Sequence, residues 1–409
     1  MWKFLQKEKN YLLFIFILSL SIRLIYLFFH NKINHLEITS LDIDGYHTLA
    51  LNLLKKHGFC FIAGEPTSYR PFLYPAFLSS IYFIFGQSKF IVQFIQTILG
   101  SFTVIFTYLI ANKFLNKKKS LISSYLYAIY PLAIFLNACF LTETLFIFLF
   151  TLFILFLLNL DNTQKLKEVI SGIILGLAIL TRPVFLYFHF FILFWFIKKF
   201  SLVKGFYKWG IILFLAILVN SPWIIRNYFV HHNLVLGTTN GGITFWGGNN
   251  KWCLDGKWVS PNNTLWKENN ILKKKIDALT EVEKDKFYYQ LGFNWIKNNP
   301  KKFVFLEFKK FLRFWDYDKR SYHSKTSNLY KIIGLFSYGI LLPFIIIGFC
   351  FSLKNNNFLI LNFSILYFLF ITLIFYGDIR LRAPIEPFLF ILGSIGISKV
   401  IKWIKLKLL

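Results

Sequence analysis

The chain has 409 residues, 56% of them hydrophobic, with a formal net charge of +27 and a mean hydropathy of +0.54. Apolar runs of about 17–25 residues recur along it, long enough to cross a hydrocarbon core about 30 Å thick, which excludes a soluble domain. The runs show no polar/apolar alternation, so they read as helices and not as strands of an outer-membrane barrel.

A soluble chain this basic would suggest nucleic acid as a partner. Here the lysines stand in short loops between apolar runs and in one long polar segment, so topology and anionic head groups account for them and nucleic acid is not expected. Cys60, Cys139, Cys253 and Cys350 are far apart and read as packing residues. The histidines, His30, His35, His47, His57, His189, His231, His232 and His323, show no ligand spacing. No metal site is assigned, and a divalent cation stays open as a cofactor without support from ligand spacing. There is no P-loop, G-x-G-x-x-G or G-x-S-x-G, which counts against an ATPase, a Rossmann enzyme and an α/β hydrolase.

Taken in order, the chain begins with a Lys-bearing start and the run YLLFIFILSLSIRLIYLFF. It has the look of a signal peptide, but the run is too long and no small-residue cleavage site follows, so 11–29 reads as a retained helix. Next comes the most polar and patterned stretch of the N-terminal half, from Asp42 to Pro75. It carries Asp42, Asp44 and Tyr46, an amphipathic piece, and then a Gly/Pro-punctuated turn with Glu65, Tyr69 and Arg70. Segment 72–86 has Pro71 and Pro75 at its start and Ser79 and Ser80 within it. It is expected to lie along the outer interface or dip into it. The further runs are 90–112, 120–139, 144–160, 168–182, 184–197, 209–225, 332–353, 357–376 and 386–404.

Lys-rich short loops belong in the cytoplasm. They are 112–119, Lys165 and Lys167, 198–208, Lys354 and the 399–407 tail. If 72–86 does not cross, all of them fall on the side of the N-terminus, giving about ten crossings with both termini cytoplasmic. If it does cross, the count is about eleven and 112–119 lies outside. The long polar segment 226–331 opens with TTNGGITFWGGNNKWCLDGKW, an irregular surface. From Thr280 to Trp315 its apolar residues take a helical period, interrupted at Pro300. The expected organisation is a transmembrane core 1–225 with a first outer loop 30–89, an extracytoplasmic region 226–331, and C-terminal transmembrane helices 332–409.

Ionisable residues at the ends of membrane helices are costly and point to function. On this topology Asp42, Asp44, Arg70, Glu143, Arg182, Arg226, Arg380, Arg382 and Glu386 all collect at the outer surface. Guanidinium forks match phosphate oxygens. A carboxylate beside them can serve as a general base. Arg groups can also stabilise the charge that develops on a departing phosphate. Plainer readings stand beside these. Asp42 can cap an interfacial helix at 43–56, Glu143 can cap a helix beside Thr142, and Arg380 and Arg382 can be ordinary loop charges. Arg23, alone in the first helix, reads as snorkelling or paired.

Several ordered motifs carry a resemblance. They are Asp42-x-x-x-Tyr46-x-x-x-Ala50-x-Asn52-Leu53-Leu54, Gly58-Phe59, Pro66-Thr67-Ser68-Tyr69-Arg70-Pro71 and Leu73-Tyr74-Pro75. They continue with Leu141-Thr142-Glu143, Leu180-Thr181-Arg182-Pro183, Pro222-Trp223-x-x-x-Arg226-Asn227-Tyr228 and Arg380-x-Arg382-x-Pro384-x-x-Pro387. Together they resemble GT-C glycosyltransferases, nearest to family 39, the protein O-mannosyltransferase and aminoarabinose lipid A transferase superfamily.

The resemblance implies an all-α, polytopic GT-C helix bundle whose first outer loop carries juxtamembrane helices. It implies inverting transfer of a hexose or pentose from a polyprenyl-phosphate donor to a glycolipid, glycan or protein acceptor, on the extracytoplasmic face of the cytoplasmic membrane. Asp42 then takes the place of the catalytic base, with Asp44 the second candidate, and Glu143 takes the place of a second acid. Tyr46, Tyr69, Arg70, Arg182, Arg226, Asn227, Arg380 and Arg382 are the expected donor-binding residues. Tyr69 and Arg70 stand where members of the family often carry an acid and a Lys. Two readings of another class remain open: a flippase for lipid-linked sugars, and a non-enzymatic membrane assembly protein docking through 226–331.

Overall fold

The first apolar run forms a single helix, α1 (Trp2–Ile33), followed by α2 (Tyr46–Leu54), α3 (Leu73–Phe85) and α4 (Lys89–Ala111). After these come α5 (Lys117–Ala128), α6 (Pro131–Ala138), α7 (Glu143–Leu158), α8 (Lys165–Thr181), α9 (His189–Phe200) and α10 (Leu202–His231). A more polar group follows, which includes α11 (Gly241–Gly247), α12 (Glu281–Asn298) and α13 (Pro300–Trp315). The chain then returns through α14 (Leu342–Ser352), α15 (Leu359–Ile374) and α16 (Glu386–Lys407). This computed structural model describes residues 2–33, 42, 44–161, 165–317 and 328–407, and among them there is no sheet strand. His35 and His323 lie outside the described residues.

Seven helical segments are long and apolar enough to cross a membrane, and α5 with α6, bent by 48°, makes an eighth. The expected count of about ten is therefore not reached on length alone. The two segments that fall short are α7, with 16 residues, and α8, with 17. At 1.5 Å per residue they span about 24 and 26 Å. Each is cut short at the end where an ionisable residue stands. Glu143 opens α7, while Arg182 leaves the helix in an extended conformation ahead of Pro183. A residue before proline is pushed out of the helical region, so the Arg182-Pro183 pair ends α8 locally.

Helix α3 has 13 residues, about 20 Å, too short to cross. It packs instead on α2, where Tyr46 meets Tyr74 edge to face at 5.1 Å and His47 Nδ1 shares a 2.8 Å hydrogen bond with the Tyr82 hydroxyl. The ends of the bundle agree with a non-crossing 72–86. Near the start of α1, Glu8 pairs with Lys117 at 2.9 Å and accepts from the Tyr108 hydroxyl at 3.2 Å, so the N-terminal end lies beside the 112–119 loop. The other Lys-bearing connections gather at this end. Lys113 reaches Asn159 Oδ1, Lys167 reaches the Asn159 carbonyl at 2.8 Å, Lys208 reaches the Asp161 carbonyl at 3.0 Å, and Phe114 rests on Phe358 at 4.9 Å.

Helix α10 runs 30 residues, six beyond the expected end at 225, and carries Pro222 inside it. Its last turn is retained because Arg226 donates to the first loop and Asn227 accepts from it, and it stops at His232 in the left-handed region, φ 49°. The helix that was expected to end at 225 thus continues to His231. In the group that follows, α12 starts at Thr280 with a reciprocal Thr280–Glu283 capping box, and Pro300 divides α12 from α13 as the periodicity indicates. The Gly-rich stretch holds one helix that composition hid. In α11, a Cβ on Gly242 would stand 1.9 Å from the Asp285 carbonyl oxygen, so the glycine allows α11 to lie against α12.

Candidate functional site

Glu143 is fully buried at the first position of α7 and is the hub of the site. Its Oε1 accepts from Arg380 Nε at 2.8 Å and pairs with Arg380 Nη2 at 2.8 Å and with Arg182 Nη2 at 2.9 Å. Arg182 also donates from Nε to Thr142 Oγ1 at 3.3 Å. Arg380 extends further, with Nη2 at 3.7 Å from Asp44 Oδ2. Asp44 in turn accepts from Arg70, through Oδ1 at 2.8 Å and its carbonyl at 2.9 Å. One chain of charge therefore runs Arg70, Asp44, Arg380, Glu143, Arg182, three guanidinium groups against two carboxylates. Below it the Pro183–Phe188 turn is locked by aromatic packing, with Phe146 and Phe150 meeting Phe185 at 5.1 and 4.9 Å.

Two tyrosines frame the near end of this chain. The Arg70 guanidinium lies 5.6 Å from the Tyr46 ring and 5.1 Å from the Tyr69 ring. Burial by itself would disfavour the Arg70 charge, but Asp44 and the hydroxyls of Tyr46 and Tyr69 outweigh it and raise its pKa. Burial pushes the Tyr46 and Tyr69 hydroxyls up, so both remain protonated hydrogen-bond donors. Tyr376, which motif reading missed, also belongs here. Burial lifts its hydroxyl to about 12, with Arg380 pulling the other way and Asp378 and Asp44 adding to the rise. Its only sequence signal is its place four residues before Arg380 in YGDIR.

Asp42 is placed differently from Asp44. Its Oδ1 accepts the His47 amide at 2.8 Å and its Oδ2 the Thr48 amide at 3.2 Å, so it caps the start of α2. Each carboxylate oxygen keeps a further lone pair.

Arg226, Asn227 and Arg382 are not part of the charge chain. Arg226 donates to the Thr67 carbonyl at 2.7 Å, the Ser68 hydroxyl at 3.0 Å and the Phe59 carbonyl at 3.1 Å. Asn227 is buried, accepting from Ser68 Oγ at 2.7 Å. Glu281, which sequence reading missed, joins them by accepting from Thr67 Oγ1 at 2.7 Å and the Ser68 amide at 2.8 Å. This second cluster ties the stretch 59–68 to the end of α10 and the start of α12. Arg382 is buried, donating to the Phe314 and Asp316 carbonyls at 2.7 Å each and to Glu386 at 3.3 Å. It binds the carbonyl end of α13, where a cation is favoured.

No group of three or more His, Cys, Asp or Glu side chains stands together among the described residues. Asp44 and Glu143 are each held by guanidinium groups, and three positive charges around two carboxylates do not suit a divalent cation.

Along its whole length the chain follows the oligosaccharyltransferase of Archaeoglobus fulgidus. The structure of that protein tethered to an acceptor peptide aligns with 98% of this chain at TM-score 0.55 and 14% identity. The chain has the GT-C fold. The same archaeal protein, AglB, in complex with an inhibitory peptide and a dolichol-phosphate, aligns at TM-score 0.54 and 14% identity, also over 98% of the chain. The chain spans about half of their length, 51% in both cases. ArnT from Cupriavidus metallidurans bound to undecaprenyl phosphate matches at TM-score 0.44 and 11% identity, over 94% of this chain and 77% of its own, too weakly to add to the argument. Residues 69–225 match the family model of dolichyl-phosphate-mannose-protein mannosyltransferases. They include Tyr69, Arg70, Glu143 and Arg182, so the resemblance read from the motifs is borne out. No curated protein matches the chain.

Proposed function

We propose that this multi-pass membrane protein is a glycosyltransferase that moves a sugar from a polyprenyl-phosphate donor to an acceptor at the extracytoplasmic face, with inversion at the anomeric carbon. The observation that carries the reading is the charge chain from Arg70 to Arg182, built from four segments that are far apart in sequence. Each guanidinium in it is now held by a carboxylate, an anion whose place phosphate oxygens can take. Arg70, Arg182 and Arg380 receive the donor phosphate, and the protonated hydroxyls of Tyr46, Tyr69 and Tyr376 stand beside them. Asp42 takes the proton of the acceptor nucleophile, its two oxygens being held by amides and, among the described residues, by no guanidinium. The acceptor attacks the anomeric carbon as the bond from that carbon to the phosphate oxygen breaks. The electron pair leaves with the lipid phosphate, whose growing charge the three arginines stabilise. Asp44 and Glu143 keep those arginines aimed.

The extracytoplasmic placement draws on the two ends of α7. Glu143 begins it at the charge chain, and Asn159 ends it among the lysine loops, about 24 Å away. Lysine-rich loops favour the cytoplasm, which supports an outer position for the charge chain. The archaeal relatives bind dolichol-phosphate and an acceptor peptide, which agrees with a lipid-linked donor.

The test is mass spectrometry of glycolipids, glycans and surface proteins from cells with and without the gene. A modification that disappears, and returns with the wild-type chain but not with Asp42→Asn, names sugar and acceptor together. An unchanged set of glycoconjugates overturns the proposal.

A further inference from the structure

Helix α13, PKKFVFLEFKKFLRFW, divides into three faces when its residues are set out at about 3.6 per turn. One face is turned into the protein. Leu306 and Phe314 are buried on it, Lys310 Nζ donates to the Leu373 carbonyl at 2.8 Å, and Arg313 Nε donates to the Gly377 carbonyl at 3.2 Å. A second face, about 120° wide by the same count, carries Val304, Phe305, Phe308, Phe311 and Leu312. Each of these five is between 41% and 69% exposed. Along one edge of the apolar face stand Lys302 and Lys309, with Lys309 Nζ 4.9 Å from the Phe305 ring.

Nothing among the described residues covers the apolar face. The stretch 318–327, DKRSYHSKTS, is too polar to serve as its cover. The neighbouring α12 is built otherwise, exposing Glu283, Lys286, Gln290, Asn294 and Lys297 as a water-facing helix does. What sets α13 apart is its height. Leu373, which Lys310 holds, is the last residue but one of α15. Arg382, which holds the Phe314 and Asp316 carbonyls, stands four residues before α16. Gly334, near the start of the segment Lys331–Ser352, lies against the Tyr317 carbonyl with no room for a Cβ. Three segments long enough to cross a membrane thus begin or end at α13. Its apolar face stands where hydrocarbon meets head groups, and a helix with an apolar face beside a basic edge lies in that layer, sunk about 5–10 Å. Lysine stems there run along apolar surface and carry their charge to the lipid phosphates.

We propose that α13 is seated in the leaflet on the side of the charge chain, with its apolar face in the acyl chains and Lys302 and Lys309 at the lipid phosphates. Its partner is the phospholipid surface and not a second protein. The seat holds at head-group depth the stretch 373–377, which carries Tyr376 and leads to Arg380. It does not depend on the transferase reading.

The experiment uses the full chain, one copy per nanodisc of phosphatidylcholine and phosphatidylglycerol. In a chain whose four cysteines are replaced by serine, Phe308→Cys and Lys286→Cys each carry a nitroxide. The label on α13 should meet dissolved oxygen several-fold more readily than a water-soluble nickel chelate, and the label on α12 should show the reverse. A label on α13 that favours the chelate as the one on α12 does overturns the proposal. So does one that neither reagent reaches, which means that protein covers the face. If the cysteine-free chain does not fold, the wild-type chain still decides. Lipids bearing a diazirine high on the acyl chain should label residues 303–309 on irradiation, mapped by mass spectrometry. Labelling confined to the crossing helices, with none in α13, overturns the proposal equally.

Discussion

Five of the arginines at one end of this molecule divide by what they hold. Arg70, Arg182 and Arg380 point at carboxylates. Arg226 and Arg382 give their donors chiefly to backbone carbonyls, of Thr67 and Phe59 in one case and of Phe314 and Asp316 in the other. A guanidinium paired with a carboxylate can exchange one anion for another, so it is suited to a ligand that comes and goes. A guanidinium spent on carbonyls has nothing to exchange, and withdrawing it leaves buried acceptors unmet. The first set is chemistry in waiting and the second is stitching, although the sequence presents both as arginines near helix ends.

The two aspartates of the first loop divide in a related way, and the largest effect should come from separating them. Asp42→Asn keeps one of the two oxygens that cap α2 and removes the base, so turnover should fall roughly 10³-fold with little change in donor binding. Steady-state transfer together with donor binding in nanodiscs measures both. Asp44→Asn should instead weaken donor binding, because Arg70 and Arg380 lose the carboxylate that aims them. If the two variants behave alike, the division between them fails.

Next in size is the comparison of arginines itself. Arg380→Met should cost about 10²-fold in turnover, the scale of losing one charge-stabilising donor. Arg226→Met should instead lower stability by about 2 kcal/mol, through the unmet carbonyls of Thr67 and Phe59, and reduce the activity of the folded fraction far less than Arg380→Met does. Thermal melts read alongside turnover separate these outcomes. An Arg226 variant with a normal melting curve and lost turnover would move Arg226 into the first set.

Much of this was legible in the sequence, for a physical reason. Charges at the ends of membrane helices are expensive, so Glu143, Arg182 and Arg380 advertised themselves. The Pro- and Ser-marked segment 72–86 is the short helix expected, and Thr-x-x-Glu at Thr280 starts a helix as its chemistry requires. What could not be read was pairing. Arg380 meets Glu143 across 237 positions, while Arg382, two residues on, turns away to α13, and no local pattern distinguishes them. The ends of α7, α8 and α10 were also out of reach. Helix α10 outruns its apolar stretch because Arg226 and Asn227 are held by a loop more than 150 residues earlier in the chain.

The smallest predicted effect tests whether the stitching extends into the extramembrane region. Glu281, the first residue of α12, accepts from Thr67 and Ser68, so the start of this helix is where the first loop is moored. Thr280 caps that start through its hydroxyl and through the reciprocal contact with Glu283, both on the exposed side of the joint. Thr280→Ala removes the cap and touches neither arginine set. It should cost about 1 kcal/mol, the usual worth of such a cap. If α12 only decorates the surface, that loss will stay local: faster amide exchange over the first turn of α12 and nothing elsewhere. If α12 moors the first loop, protection will also fall in 59–68, the stretch that Arg226 and Glu281 hold from either side. Hydrogen exchange over these two peptides distinguishes a cap that serves one helix from one that holds the site's loop in place.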